Sequence, residues 1–584
     1  TTLGFTCAPD LVGAGSGMMH AVRLGAVVAV FALGARCTAA PAAFTVEIYG
    51  NSVMRGTPHC TVTLPNGFNE SVHTLCPSAA PLSAGGVLSA RVTGTLHPTA
   101  DGWSKFGVAA DQRAWVRLWI DDHRLVDAWG SHPTANPVTP GLLPNVSLSA
   151  ARPVFVRVDL RPWEDRLAFG LQWALSPSAA LEPVPSSALS PDVSSGQLQR
   201  RALQKRAATG WNQWIRSSNL AQVVLPQQVG VDLGILNLGS GEEYRHGLLQ
   251  PQFHGAADVR MGHHAYDGTF SSVSVAVPGS GLNFTVESAT SSAAPGGAVG
   301  DNVVVVSTNA SSGATAGGFA VVVHPGAFWG AAANISYIAS GVPRLLLDCG
   351  ELGIVTATFS HPGTPNPKAP TTIQFNLTSE PFVIRLAMTG AAAQPDRAAA
   401  AKQIETRRAE VLADIAAAAD LSKTAFDVAD AVATAIAWNV NFDPRVSVTA
   451  PVSRTFEPGF DFLFFDWDMF FLSLMASSAP VAANPRAFAI GISNLIEVTQ
   501  TRSAYGQVMN KRAAAGSSTS DTNDRTEPYV GARVLLQLWE DAHGTEREAT
   551  LKWVVELLFP SLLRWNQWTW ETRRYFGAGR GAGL

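Results

Sequence analysis

The sequence predicts a multidomain β + α protein, in which two β-rich blocks precede a helical block. The chain has 584 residues, of which 46% are hydrophobic, so it can form several cores. Short alternating runs separated by glycine and proline continue to about residue 385, which is typical of β-sandwiches. After residue 390 the hydrophobic residues recur at helical spacing, in segments rich in alanine, leucine and glutamate.

The composition argues against two classes of protein. The formal net charge is −4, from 41 basic and 45 acidic residues. No basic excess is available to neutralise phosphates, so a nucleic-acid ligand is not expected. Aromatic residues make up 9% of the chain, which argues against a chain that is disordered throughout.

Residues 1–42 are predicted to be an upstream segment and a secretory signal peptide. His20 and Arg23 precede the apolar run Leu24–Gly34, and small residues follow at 38–42 as a cleavage zone. This run is shorter than the roughly 20 residues that span a bilayer, and no later run is long enough to anchor the chain. A buried strand or helix is the alternative interpretation. The first residue is Thr1 rather than methionine, which favours a fragment.

Two further patterns agree with the secretory route. Of the five cysteines, Cys60 and Cys76 are close enough to close one loop in an oxidising compartment; two buried thiols are the alternative. We therefore expect a secreted or lumenal glycoprotein. The Asn-x-Ser/Thr acceptor triplets for N-glycosylation begin at Asn69, Asn145, Asn283, Asn309, Asn334 and Asn376.

Changes of pattern place the domain boundaries. The first β-rich block covers 43–176, and a segment rich in proline, serine and alanine at 177–210 is predicted to be a linker. The second β-rich block covers 211–390, and the helical block covers 391–584. The predicted helices include Arg397–Leu421, Phe426–Trp438, Pro485–Thr499, Val530–Ala542 and Glu548–Leu558.

The first β-rich block carries a recognisable signature. Val116–Gly130 reads VRLWIDDHRLVDAWG, a strand, a tight turn and a second strand with a tryptophan near its end. With Pro153–Trp173 it resembles the protective-antigen-type (PA-14) β-sandwich domain, some members of which bind sugars. In those members two adjacent aspartates before the first strand hold calcium, but Ala109–Gln112 reads AADQ here and lacks the pair. Asp121 and Asp122 belong to the turn, and turn formation accounts for them. The resemblance implies either a glycan-binding module or a sandwich that only spaces or docks the remaining blocks.

The second and third blocks resemble a glycosidase family. Several motifs occur in an order similar to that of the corresponding motifs in glycoside hydrolase family sixty-three. They are Trp211–Trp214, Val231–Gly234, His264–Gly268, Pro458–Phe471 and Asn523–Ala532. The mannosylglycerate-hydrolase-like branch is the most similar. The resemblance implies a β-sandwich followed by an (α/α)6 barrel, the six-hairpin glycosidase fold, of which residues 391–584 would form an incomplete part. It also implies an inverting α-glycosidase that hydrolyses α-glucosides or α-mannosides, including glycosyl-glycerates or oligosaccharides.

The first candidate catalytic segment is Phe465–Phe471, which leads into an apolar helix. Asp466 stands where an N-cap is expected, and a cap or a substrate contact are its two interpretations. Asp468 falls in the first turn beside Trp467. A carboxyl group against aromatic walls is desolvated, which raises its pKa and suits a general acid. The Asp of the corresponding WDxxF segment is the proton donor in the family, so the resemblance implies that role for Asp468.

The second candidate segment is the polar loop 517–527, which leads to another predicted helix with Pro528 at its first position. Asp524, Arg525 and Glu527 are candidate sugar contacts, and a solvated turn is the alternative for the first two. Trp467 and Tyr529 are candidate aromatic walls of the same pocket.

An inverting glycosidase also needs a general base about 6.5–9.5 Å from the acid. The resemblance places this glutamate in the C-terminal part of the barrel, and only about seven helices are predicted here. We therefore expect that this chain lacks the base; Glu571 is the nearby carboxylate and is not assigned the role. No metal or organic cofactor is implied, because two carboxylates and a water suffice. The expected partner is a carbohydrate substrate, with a possible glycan ligand of the first block. The alternative is a non-catalytic secreted glycan-binding or adhesion protein.

Overall fold

The computed structural model describes most of the chain between residues 42 and 573. The predicted signal peptide, Asp111, Asp121, Asp122 and Asp524 lie outside the described residues. The described ranges and positions are 42–50, 54, 58–77, 89–110, 114–120, 123–128, 145–150, 153–162, 166–176, 179–191, 195–213, 215, 218, 220–245, 258–277, 280–291, 299–310, 316–329, 331, 333–367, 369–388, 393–443, 448–451, 453–454, 462–478, 484–502, 506–513 and 525–573.

The first block is a sandwich of two antiparallel sheets. Its elements are β1 (Phe44–Tyr49), β2 (Cys60–Leu64), β3 (Phe68–Ser71), α1 (Val72–Leu75), β4 (Ser89–Leu96), β5 (Gly102–Ala110), β6 (Trp115–Ile120), β7 (His123–Ala128), β8 (Asn145–Leu148), β9 (Val154–Arg161), β10 (Arg166–Ala174), β11 (Glu182–Pro183) and β12 (Leu189–Ser190). One sheet has the order β2-β1-β4-β9-β6-β7, with β12 beside β4. The other has the order β11-β10-β5-β8, with β3 beside β10.

The alternating pattern of these strands explains which face is buried. Val46 lies opposite Val92, which lies opposite Val158, and all three belong to the core between the sheets. The structure joins Cys60 and Cys76 in a disulfide, so the first of the two interpretations of this pair applies.

The segment predicted to be a linker is folded for much of its length. Strands β11 and β12 pair with the first sandwich, and helix α2 (Ser195–Ala207) follows them. Arg201 of α2 donates to Thr93 Oγ1 at 2.8 Å and lies 3.8 Å from Glu47. Helix α2 also contacts the helical block, so it bridges the first sandwich and that block. Composition missed it because α2 is polar along much of its length.

The second block is a larger sandwich. Its strands are β13 (Gly210–Asn212), β14 (Gln222–Leu225), β15 (Val229–Asn237), β16 (Glu243–Arg245), β17 (Asp258–His264), β18 (Phe270–Val277), β19 (Leu282–Thr290), β20 (Asn302–Ala310), β21 (Phe319–Ala327), β22 (Asn334–Ile338), β23 (Arg344–Asp348), β24 (Ile354–Phe359), β25 (Thr364–Asn366), β26 (Ala369–Asn376) and β27 (Phe382–Ala387). They form two sheets with the orders β13-β14-β15-β21-β26-β25, with β16 beside β15, and β17-β18-β19-β20-β27-β24-β23-β22. The core between the sheets is rich in valine and phenylalanine.

The helical block packs on the outer face of the eight-stranded sheet. Gln403 donates to Ala289 O at 2.8 Å, and Arg408 donates to Glu287 at 2.6 Å. The block consists of α3 (Arg397–Ser422), α4 (Phe426–Asn439), β28 (Val440–Asp443), β29 (Val448–Pro451), β30 (Ser453–Arg454), β31 (Phe462–Phe465), α5 (Asp466–Ser477), α6 (Pro485–Gln500), β32 (Lys511–Ala513), α7 (Gly531–Ala542) and α8 (Glu548–Arg573). Strands β28 and β29 pair, and β31 lies between β30 and β32.

The helices predicted from the sequence are present with ends within one residue, except that α8 continues to Arg573. The class is therefore a multidomain protein of sandwich-like sheets with C-terminal helices. The packing of the described helices does not establish an (α/α)6 barrel, and the incomplete barrel stays a prediction. No helix in the described ranges is long and apolar enough to cross a membrane.

Candidate active site

A strand that runs directly into a helix positions the first candidate segment. Strand β31 ends at Phe465, and α5 begins at Asp466. Phe464 lies opposite Arg512 of β32, which anchors the end of the strand. The Asp466 backbone N–H donates to Asn510 O at 3.1 Å. The candidate carboxyl groups therefore lie at a junction that is hydrogen-bonded to a neighbouring segment.

Asp466 is a buried carboxyl group rather than the N-cap that the sequence predicts. The N-cap residue is Phe465, one position earlier. Asp466 is 1% exposed, and its Oδ2 accepts from Thr526 Oγ1 at 3.1 Å and from Glu527 N at 3.2 Å. Burial raises the pKa of Asp466 to about 7, although these hydrogen bonds favour its charged form. Its side chain therefore binds a distant loop as well as the backbone N–H of Trp467 in its own first turn.

Asp468 does not occupy the same environment. It is half-buried, whereas the preceding Trp467 is 39% exposed. Successive side chains on a helix point about 100° apart, so Asp466 and Asp468 face different directions. Burial, which the sequence predicts for Asp468, is found at Asp466. The catalytic role of Asp468 stays a prediction.

Trp467 and Phe471 form an open aromatic surface on α5. Their exposed fractions are 39% and 45%, and their ring centroids are 6.4 Å apart. Residues four apart lie on the same face of a helix, which explains the contact. Exposed aromatic rings can stack on the apolar faces of sugars.

The second candidate segment crosses the start of α5. Arg525 is exposed, and its backbone oxygen accepts from Gln507 Nε2 at 2.7 Å and from Asn510 N at 3.1 Å. Glu527 is half-buried, and its charge contributes to the raised pKa of Asp466. The following helix begins at Gly531, so Pro528 precedes it rather than occupying its first position. A Cβ atom at position 531 would lie 2.7 Å from the Phe470 ring, which explains why glycine is needed where the helix meets α5.

Tyr529 packs against the helical block and is not an open aromatic wall of a pocket. Its hydroxyl donates to Leu562 O at 2.5 Å, and its ring meets Trp565 edge-on with centroids 4.6 Å apart. Burial raises the pKa of Tyr529 to about 12. Trp565 in turn stacks on Phe470 at 5.8 Å. This packing joins α5, α8 and the candidate loop.

The sequence analysis missed the polar groups that support the site. Glu497 of α6 pairs with Arg512, and both side chains are buried. Asn494 Nδ2 donates to Met469 O at 2.9 Å and to Ser473 Oγ at 2.7 Å. The available signal was a single acidic residue inside the apolar stretch of α6. Nothing in the sequence indicated its partner, which lies in another element.

Glu571 is 60% exposed and pairs with Arg564 at 3.3 Å, so it forms a surface ion pair. Across the described ranges, no three histidine, cysteine, aspartate or glutamate residues are grouped as metal ligands would be. The site therefore contains a carboxyl group that exchanges a proton near neutral pH, a half-buried aspartate and an aromatic surface.

The first sandwich carries a second candidate surface. On the face opposite its core, Trp115 pairs in register with Arg161, and Trp119 pairs with Arg157. Each guanidinium lies over its indole ring, at 4.1 Å and 4.3 Å from the ring centroid. Trp119 is 3% exposed, but Trp115 and Arg161 are half-buried. The Trp115 end of this face is therefore accessible.

Between these two pairs lies a buried charge cluster. Asp159 accepts from Arg91 Nε at 2.9 Å and from Arg157 Nη2 at 2.5 Å. The two guanidinium groups hold the pKa of Asp159 well below its usual range, although burial acts in the opposite direction. The cluster joins β4 to β9, the strand that carries Arg157 and Arg161.

A family model described as PA14 domain matches residues 77–180. The first sandwich therefore contains a PA14 domain, which confirms that part of the sequence-based prediction. No curated protein matches the chain. No comparison supports the resemblance to glycoside hydrolase family sixty-three.

Several solved structures are similar to the chain. An anti-sigma factor domain-containing protein is 20% identical, with a TM-score of 0.21; the match covers 26% of this chain and 49% of that one. The chain thus spans about half the length of this structure. The PA14 domain of the MpAFP antifreeze protein is 14% identical over 26% of this chain and 94% of that one, with a TM-score of 0.20. A PA14 sugar-binding domain from an RTX adhesin is 14% identical over 26% of this chain and 100% of that one, with a TM-score of 0.21.

Proposed function

We propose that this chain is a secreted or lumenal glycan-binding protein whose PA14 domain carries the ligand site. The PA14 match at residues 77–180 carries this proposal, because some members of that family bind sugars. The Cys60–Cys76 disulfide supports an oxidising compartment. The acceptor asparagines whose side chains are described are all exposed, which suits glycosylation: Asn69, Asn283, Asn309, Asn334 and Asn376.

The half-buried pair Trp115 and Arg161 is the part of the domain that we assign to the ligand. An indole ring offers a flat apolar surface to a pyranose, and a guanidinium donates to its hydroxyl groups. The buried Asp159 cluster holds the strand that carries Arg161, so the pair is preorganised. The alternative function of the domain, a spacer that only docks the other blocks, requires no ligand.

Glycan-array binding of the whole chain, followed by titration with the strongest glycan, tests this assignment. Replacing Trp115 with Ala is expected to weaken binding at least tenfold, because the stacking surface is lost. Trp570→Ala is the matched control, since Trp570 is 50% exposed on α8 and lies outside both candidate sites. Binding is expected to persist in EDTA, because Ala110 replaces one of the paired calcium-binding aspartates. Absence of any glycan ligand, or unchanged affinity in Trp115→Ala, would contradict the assignment.

The second candidate function is glycoside hydrolysis in the helical block. The observation that favours it is the raised pKa of the Asp466 carboxyl group, which is about 7. This group precedes Trp467, whose ring is part of the exposed aromatic surface of α5. In this proposal Asp468 donates a proton to the glycosidic oxygen as the bond to the anomeric carbon breaks, a water molecule adds to that carbon and releases its proton to solvent, and Trp467 stacks on the sugar. Asp466 lies behind them as a buried positioning group. Arg525 and Glu527 contact the substrate with Asp524, and no cofactor takes part.

Release of reducing sugar from α-glucosides and α-mannosides tests this second function. Asp468→Asn is expected to lower turnover by about 100-fold or more, because a general acid contributes roughly that factor. Asp420→Asn is the control, since Asp420 is exposed on α3 and should leave turnover within about twofold. Hydrolysis that survives in Asp468→Asn would remove the proton-donor assignment. If the unmodified chain binds glycans but does not hydrolyse them, the hydrolysis proposal is wrong and only the binding function remains.

A further inference from the structure

Arg486 has an unusual set of hydrogen-bond partners. It lies in the first turn of α6, and its Nη1 donates to Trp211 O at 2.8 Å and to Asp267 O. Its Nε and Nη2 atoms are buried and have no hydrogen-bond partner among the described residues. Burial lowers the pKa of Arg486 to about 10, so the group remains a cation at neutral pH. Two donors of a buried cation are thus left unsatisfied, which costs free energy.

Other arginines in the same protein show what these two donors bind. Arg91 uses Nε and Nη2 to hold the two carboxylate oxygens of Asp159 at 2.9 Å and 3.2 Å. Arg385 uses the same two atoms to hold Asp301. This side-on arrangement is the usual way in which a guanidinium binds an anion. In Arg486 the same pair of donors lacks an anion from the described part of the protein.

The vacant donors border a small cavity where the second sandwich meets the helical block. Glycine on either side leaves room for the guanidinium, since a Cβ at Gly210 would lie 2.8 Å from it and one at Gly268 3.4 Å. The free space is about that of one water molecule. Its lining includes Trp211, Asp267, Gly268 and Arg486.

The acidic residue in this lining does not fill the role of the anion. The Asp267 carboxylate accepts from Thr269 N at 3.0 Å and from Thr269 Oγ1 at 2.5 Å. It contacts Arg486 through its backbone oxygen instead. The carboxylate is thus used within its own turn and lies 3.9 Å from Arg407 Nη2, whereas Arg486 lines the cavity.

We propose that this cavity binds one small monoanion of the size of chloride, held side-on by Nε and Nη2 of Arg486. The anion joins the sandwich, through Trp211 and Asp267, to the first turn of α6. A water molecule in this space would accept hydrogen bonds but would neutralise no charge. The small free space excludes sugar acids and phosphate esters.

Chloride titration of the whole chain at constant ionic strength, with gluconate as the replacement anion, tests the site. We expect a saturable rise of about 2–4 °C in the unfolding midpoint of the helical block, because the anion binds only the folded state. Arg486→Lys should lose this rise, since lysine keeps the charge but has no pair of parallel donors. Arg408→Lys is the control, because Arg408 already pairs with Glu287, and it should keep the rise.

A direct measurement covers the case in which the Arg486 variant does not fold. Crystals of the unmodified protein grown in bromide should show an anomalous scattering peak within about 3.5 Å of Nε and Nη2. A midpoint that is the same in chloride and gluconate would overturn the proposal. A rise that persists in Arg486→Lys, or a water without anomalous signal at the site, would also overturn it.

Discussion

Replacing Asp466 with Asn is expected to stabilise the helical block by about 2–4 kcal/mol at pH 8. Asp466 is 1% exposed, and its pKa of about 7 lies well above the ordinary value of about 3.9. The folded protein therefore binds more protons than the unfolded chain between about pH 4 and pH 7. Stability falls as pH rises through that window, because the buried carboxyl group must ionise. Asparagine can still accept from Thr526 and Glu527 without becoming charged.

Chemical denaturation from pH 4 to pH 8, followed by hydrogen exchange in α5, measures this effect. The free energy of unfolding of Asp466→Asn should not show the decline with rising pH that Asp466 causes. Near pH 4 the variant and the unmodified protein should have similar free energies of unfolding. Asp468→Asn is the matched control on the same turn, and its half-buried side chain should change stability less. A stability of Asp466→Asn below that of the unmodified protein at pH 8 would show that the ionised carboxylate is needed for folding.

This expectation bears on function. A buried carboxyl group that lowers stability at neutral pH is the kind of group that proteins keep for activity. If Asp466→Asn is more stable and also loses hydrolysis, Asp466 supports the catalytic function. If it is more stable and glycan binding is unchanged, the helical site is separate from the PA14 ligand site.

Replacing Asp159 with Asn is expected to destabilise the first sandwich by about 3–5 kcal/mol. The carboxylate is buried between two guanidinium groups, and its removal leaves the buried Arg157 and the 14% exposed side chain of Arg91 without this compensating charge. Because the pKa of Asp159 is lowered by folding, its contribution is present above about pH 4 and is lost as pH falls further. The stability of Asp159→Asn should therefore not show this decrease as pH falls below about 4.

Hydrogen exchange in β4 and β9 measures the opening of this sandwich. Asp301→Asn is the matched control, because Asp301 is also held by the Nε and Nη2 atoms of an arginine but is 32% exposed. It should change stability by less than about 1 kcal/mol, as partly exposed pairs do. Equal effects of the two substitutions would show that burial does not decide the strength of the Asp159 cluster.

The Asp159 cluster lies on the sheet face through which the first sandwich contacts helix α2. Thr93 lies opposite Arg157 in the sheet, and Arg201 of α2 donates to Thr93. Helix α2 therefore rests on the face of the sheet that carries the cluster. Since α2 also contacts α6, loss of Asp159 should loosen the attachment of the PA14 domain to the helical block.

The sequence by itself determined the class of the protein, the PA14 signature and where the helices after residue 390 begin. These features depend on local periodicity: alternating residues specify strands, and helical spacing with asparagine or aspartate caps specifies helices such as α3 and α6. It also identified the two segments that meet at the candidate active site. Asp466 in one segment contacts Thr526 in the other.

Only the tertiary structure decided the environment of each polar group. Burial of Asp466 rather than Asp468 depends on the direction of a single helix turn and on a loop about 60 residues away in sequence. The folding of α2 against two blocks, and the vacant donors of Arg486, likewise depend on elements that are distant in the chain. Periodicity reports which face of an element is apolar, but not which neighbour covers it. The pKa of a carboxyl group and the partners of an arginine are set by that neighbour.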